Sequence, residues 1–103
     1  MIKLEGSGIG YLDATTVVEK NDELISELNE TRIDLIIDCT SQLLRMSMLQ
    51  TIKAYQDQIK KCFVLILPVA LLDHYPENWN CVPTKTEALD FVTFEQMQRD
   101  LGF

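Results

Sequence analysis

Asp38-Cys39-Thr40-Ser41 is where this sequence gathers groups that could do chemistry, directly after the largely apolar run Ile33-Asp34-Leu35-Ile36-Ile37. Open α/β sheets present ligand contacts at the carboxyl ends of their buried strands. A carboxylate, a thiol and two hydroxyls there are the means to hold a small ligand or a nucleotide. The same residue types also cap a following helix, with Thr40 or Ser41 as the N-cap, and that use needs no ligand. Elsewhere the chemistry is thin. His74 is the sole histidine and has only Asp73 beside it, whereas a metal site needs three or four ligands and a zinc-dependent nuclease needs several clustered ones. Gly6-Ser7-Gly8-Ile9-Gly10 has the glycine spacing of a phosphate loop but no strand–helix junction after it, so it is expected to be a tight turn between strands. Asp22, Glu23, Glu27 and Glu30 fall on the solvated side of a helix. No nucleophile–base pair and no ligand cluster emerges, so the expectation is a non-enzyme without cofactor or metal.

Composition narrows the class of partner. The chain has 103 residues, enough for one domain with a core of its own. Its formal charge of −7 disfavours nucleic acid and anionic membrane surfaces, both of which are bound by clustered Lys and Arg. The longest apolar stretch, Cys62 to Leu72, is interrupted by Pro68 and is far short of a membrane span. Met1-Ile2-Lys3-Leu4-Glu5-Gly6 lacks the basic start and apolar stretch of a signal peptide. A cytoplasmic location is expected. Cys39, Cys62 and Cys81 share no CxxC spacing and are expected to be small buried thiols in a reducing compartment.

The elements that would position these groups alternate. Ile33–Asp38 and Cys62–Leu67 are short, nearly continuous aliphatic runs, the pattern of parallel strands covered on both faces. Between them the spacing predicts a helix from about Ser41 to Lys60, with an apolar stripe of Leu44, Met48, Ile52, Tyr55 and Ile59. Strand, helix, strand makes a βαβ unit. A first helix is expected from about Thr15 to Asn29 with Val17, Val18, Leu24, Ile25 and Leu28 on one face. Asn21 falls within that stripe, which requires either a polar partner or a later helix start with Asn21 as its cap. Ile2 to Leu12 reads as one or two short edge strands, Val69–His74 as a short helical turn, and Cys81-Val82 as a last strand. Pro83 then stops the chain before a final helix, where Thr84 and Glu87 have capping-box spacing.

Several of these pieces resemble one family in order. Gly10-Tyr11-Leu12-Asp13-Ala14-Thr15-Thr16 resembles the G-x-L-D-x-x-T start of the first helix in STAS domains, the fold of anti-sigma-factor antagonists and sulfate-transporter tails. Leu35-Ile36-Ile37-Asp38 is similar to their central strand ending in Asp, and Phe63-Val64-Leu65-Ile66 to the next strand. Pro83-Thr84 with Glu87-Ala88 is similar to their P-T-x-x-E-A start of the last helix. Pro76-Glu77 and the ending Arg99-Asp100-Leu101-Gly102-Phe103 resemble a group of short, stand-alone bacterial STAS-like proteins. The resemblance implies a single STAS-like α/β domain over residues 1–103: a small mixed sheet with βαβ units and helices mainly on one face. It also implies a regulatory role in which the start of the second helix meets a protein partner. In anti-sigma-factor antagonists a kinase phosphorylates a Ser at that helix start, and the matching position here is Ser47. Its neighbours Met46, Met48 and Leu49 depart from the family's Asp, Ser and Gly. The expected helix also puts Ser47 well inside, with Ser41 and Thr40 as alternative acceptors.

The second helix carries one further oddity. Leu43, Met46 and Leu49 lie off the stripe that faces the sheet, at successive spacings of three. They form either part of a broad buried face or a partner or dimer surface, to which methionines are well suited. The expected function is non-enzymatic protein binding through Thr40, Ser41, Leu43, Met46 and Ser47, with a signalling or transport-related partner or a second copy of the chain. The alternative is a small-ligand or nucleotide module near Asp38. Leu101 and Phe103 are expected to dock the tail onto the domain.

Overall fold

Side-chain alternation along two buried strands divides the core of this protein into two halves. The computed structural model describes residues 2–102, and for Asn21 the backbone alone. Five strands, β1 (Lys3–Leu4), β2 (Ile9–Asp13), β3 (Asp34–Asp38), β4 (Phe63–Ile66) and β5 (Asn80–Val82), lie side by side in chain order. β1 runs antiparallel to β2, and every other pair is parallel. Parallel neighbours need crossovers. These are supplied by α1 (Ala14–Glu19) and α2 (Asn21–Thr31), by α3 (Met46–Gln58), and by a 3-10 segment (Val69–His74); α4 (Lys85–Asp100) follows β5.

Residues i and i+2 of a strand share a face. Leu35 and Ile37 of β3 therefore join Phe63 and Leu65 of β4 on one side, packed with Val17, Leu24, Leu28, Leu49 and Ile52 from α1, α2 and α3. Ile36, Val64 and Ile66 point the other way and meet Ala88 and Val92 of α4. Three helices thus cover one face and α4 alone covers the other, a compact mixed α/β arrangement. Coverage on both sides explains the uninterrupted aliphatic sequence of β3 and β4, whose Leu35, Ile36, Ile37 and Val64 are fully buried. Each such side chain contributes about 1.5–3 kcal/mol on leaving water.

The N-terminal glycines form the expected tight turn. Gly6 and Gly8 have φ of 141° and 69°, and the Glu5 amide donates to the Ile9 carbonyl at 2.9 Å, closing β1 onto β2. β1 is the edge; β2 lies inside, between β1 and β3, so it is not the edge strand expected from sequence.

Three other expectations are corrected. The first helix is two helices, broken at Lys20 (φ −130°, ψ 34°), which turns Val18 out to 46% exposure while Val17 stays buried. α2 begins at Asn21 with Lys20 in the N-cap position, so Asn21 is the first helical residue and not the cap that the sequence offered; its side chain lies outside the described residues. α3 starts at Met46 and not near Ser41. Asp38 takes both the amide and the hydroxyl of Thr40 onto one oxygen, at 2.9 and 2.6 Å, and Arg45 is extended (ψ 142°), so the chain after β3 is drawn into a loop before helix can form. The buried face of α3 is formed by Leu49, Ile52 and Gln56, and Met48 and Tyr55 of the expected stripe are half-buried. Lastly, Leu101 is 71% exposed and is not buried against the domain as expected, and Phe103 lies outside the described residues. The last helix does carry its cap: the Thr84 hydroxyl accepts from the Glu87 amide at 3.2 Å.

Candidate functional site

The two ends of β3 each present a carboxylate to the face covered by α4. At the carboxyl end, Asp38 accepts the Tyr11 hydroxyl on Oδ2 at 2.5 Å, and Thr40 occupies Oδ1. Tyr11 reaches it because β2 and β3 are in register, Asp13 facing Asp38 and Tyr11 facing Ile36. Lys85, the first residue of α4, sits 4.2 Å above the Tyr11 ring and donates to Glu5 at 2.9 Å. Burial alone would raise the Asp38 pKa, but the hydrogen bonds from Thr40 and Tyr11 outweigh it and hold the carboxylate below its ordinary range. Burial and the same carboxylate push the Tyr11 phenol upward, so it remains a donor. Asp13 caps α1 by accepting from the Thr15 amide at 2.8 Å. Asp38 therefore stands where an α/β sheet would offer a ligand contact, yet both of its oxygens are already engaged within the chain.

At the amino end, Asp34 is 1% exposed and accepts from the Cys62 amide at 2.7 Å, Gln96 at 2.9 Å and Arg99 at 2.7 Å. Arg99 also donates to the Lys60 carbonyl at 3.1 Å, and Gln96 to the Ser7 carbonyl at 2.9 Å. Burial raises the Asp34 pKa; the three donors overcome it and lower it. Two carbonyls at the same end of the sheet, Ile33 and Cys62, receive the buried amide of Gln56, each at 2.9 Å. This end of the molecule is a structural clamp.

The expected partner-binding residues sit on the loop after β3 and the first turn of α3. Cys39 is buried and Leu44, at 7% exposure, plugs into the same core cluster, which anchors the loop at both ends. Between and beyond these anchors, Thr40, Ser41, Leu43, Met46 and Ser47 are exposed, Leu43 by 48% and Met46 by 37%. Leu49 is fully buried, so the apolar strip read from sequence splits into an exposed pair and a core residue. No side chain caps the start of α3. Ser47 is its second residue, not a mid-helix position as the sequence suggested. It lines a cleft of about 310 Å³ with Arg45, Met48 and Thr51 of this segment and Asp22 and Ile25 of α2.

The cysteines give no reactive centre. Burial, followed by the nearby Asp38, pushes the Cys39 thiol up to about 12, and burial with Asp34 does the same for Cys62. His74 is exposed on the 3-10 segment. Among the described residues no group of His, Cys, Asp and Glu could hold a metal ion, and no helix is long and apolar enough to cross a membrane.

Sequence reasoning missed Tyr11, Lys85, Asp34, Gln96 and Arg99. One signal was available: Asp34 is an acidic residue inside an otherwise aliphatic strand, and a buried carboxylate must find donors. Comparison with family models, curated proteins and solved structures finds no match for this chain.

Proposed function

We propose that this protein is a non-enzymatic regulatory module of the STAS type, binding a signalling or transport-related protein through the 39–45 loop and the start of α3. The observation that carries this reading is the pair of exposed apolar side chains, Leu43 and Met46, beside a helix start that no side chain caps. The loop is held by buried Cys39 and Leu44, so the surface is pre-formed and little ordering opposes association. Ser47 in the first turn adds a means of regulation. A phosphate there would meet free helix amides and the positive end of the dipole, and would place charge next to the apolar pair. Ser41, exposed on the loop, is the second acceptor in this reading.

A cytoplasmic, bacterial setting belongs to the same reading, and the three free thiols support a reducing compartment. A second copy of the chain is the other occupant that this face would accept. The small-ligand alternative at Asp38 loses support because Tyr11 and Thr40 take both oxygens. Affinity capture from cells of the native host tests the proposal, comparing the wild type with Met46→Asp after both are shown to be folded. Recovery of a partner by the wild type and its loss in the variant is the expected result. Equal recovery by both sinks the proposed surface.

A further inference from the structure

We propose that the cleft between the 3-10 segment and β5 binds a small organic cation bearing a quaternary ammonium group. The cleft has a volume of about 420 Å³, within the range of small-ligand sites. Its walls include Tyr75 and Trp79, whose rings lie 6.2 Å apart between centroids and are inclined by 36°. Each ring carries a negative face that attracts a cation. Trp79 also packs on the core: Phe63 of β4 meets it edge-on at 6.1 Å and 68°, and the Trp79 amide donates to the Pro76 carbonyl at 3.0 Å.

Charge points to the same class of ligand. Asp73 and Glu77 line the cleft, and no Lys or Arg does. Among the described residues neither carboxylate takes part in an ion pair or a side-chain hydrogen bond. Lys53, which lines the neighbouring cleft with Pro76 and Trp79, is occupied by Asp57 at 2.7 Å. The formal charge of −7 favours the approach of cations to the whole surface. A quaternary ammonium fits better than a primary one. It carries no N–H needing an acceptor, its methyl groups pack on ring faces, and its diffuse charge costs less to desolvate. Aromatic walls with nearby carboxylates are the recognition chemistry for such groups.

Trp79 is the sole tryptophan of the chain, so tryptophan emission reports on the surroundings of this one residue, and the Tyr75 and Glu77 variants assign a response to this cleft rather than to the neighbouring one that Trp79 also lines. The test titrates the full chain with choline chloride, with the uncharged tert-butyl analogue of choline, and with sodium chloride at matched concentrations. A saturable emission change with choline, absent with the analogue and the salt, is expected. Tyr75→Leu is expected to weaken choline binding about tenfold. Glu77→Gln, at an exposed position with little bearing on folding, is expected to weaken it about threefold. A trimethyllysine peptide arm separates the two sources of the headgroup. Tighter binding of the peptide than of choline assigns the site to a modified protein side chain, and the reverse assigns it to a free small molecule. An equal response to the uncharged analogue, no saturable response, or unchanged affinity in both variants overturns the proposal.

Discussion

Arg99 of α4 places Nη2 2.7 Å from Oδ2 of Asp34 on β3, joining positions 65 residues apart in the chain. Gln96, one turn earlier, donates to the same oxygen, and Lys85 at the other end of α4 holds Glu5 beside Tyr11. The helix that alone covers this face is thus tied at both ends by polar contacts, with Ala88 and Val92 buried between them.

Asp34→Asn is therefore expected to destabilise the fold by about 3 kcal/mol, the low end for breaking a buried pair, because Arg99 is 32% exposed and partly rescued by water. Urea denaturation measures it. The pH dependence has a definite sign. The native pKa of Asp34 lies below its ordinary value of 3.8, so its contribution is complete above the ordinary value and is lost as pH falls through the native one. The gap between wild type and Asp34→Asn is largest near neutral pH and narrows in acid below that ordinary value.

How much of this was legible beforehand follows from what each feature depends on. β3, β4 and the 3-10 segment were readable because burial on both faces, or a break at Pro68, leaves a local trace in the residues themselves. The start of α3 was not, because Asp38 diverts the chain through Thr40, a choice between two uses of the same polar residues that spacing cannot make. That error put Ser47 inside the helix. The Asp34–Arg99 pair is a tertiary contact between distant segments, so sequence offered only half of it, an acid within an aliphatic strand.

The phase of α3 can be checked by two truncations. Leu49→Ala removes a fully buried side chain and is expected to cost about 2–5 kcal/mol. Met46→Ala, at a position 37% exposed, is expected to stay within about 0.5 kcal/mol of wild type. Thermal or urea unfolding of the two variants distinguishes this phase from one that buries Met46.

Tyr11→Phe removes a donor to Asp38 while keeping the ring beneath Lys85. The pKa of Asp38 is expected to rise, since a hydrogen bond favouring its charged form is gone. The stability cost is expected to be about 1 kcal/mol, because Thr40 still engages the other oxygen. Carboxyl-carbon NMR titration reads the first effect and denaturation the second.

Ser47→Asp mimics charge in the first turn of α3. It is expected to raise stability by about 0.5 kcal/mol through the helix dipole, while reducing partner capture. Paired unfolding and capture measurements test both halves, and a variant that is destabilised or binds as the wild type does would count against a regulatory role for this serine.

Hydrogen–deuterium exchange on the captured complex, compared with the free protein, tests the proposed binding face most directly. Slowed exchange over residues 40–49, with the clamp around Asp34 unchanged, is the predicted result. Protection that spares this stretch and appears elsewhere on the surface would contradict it.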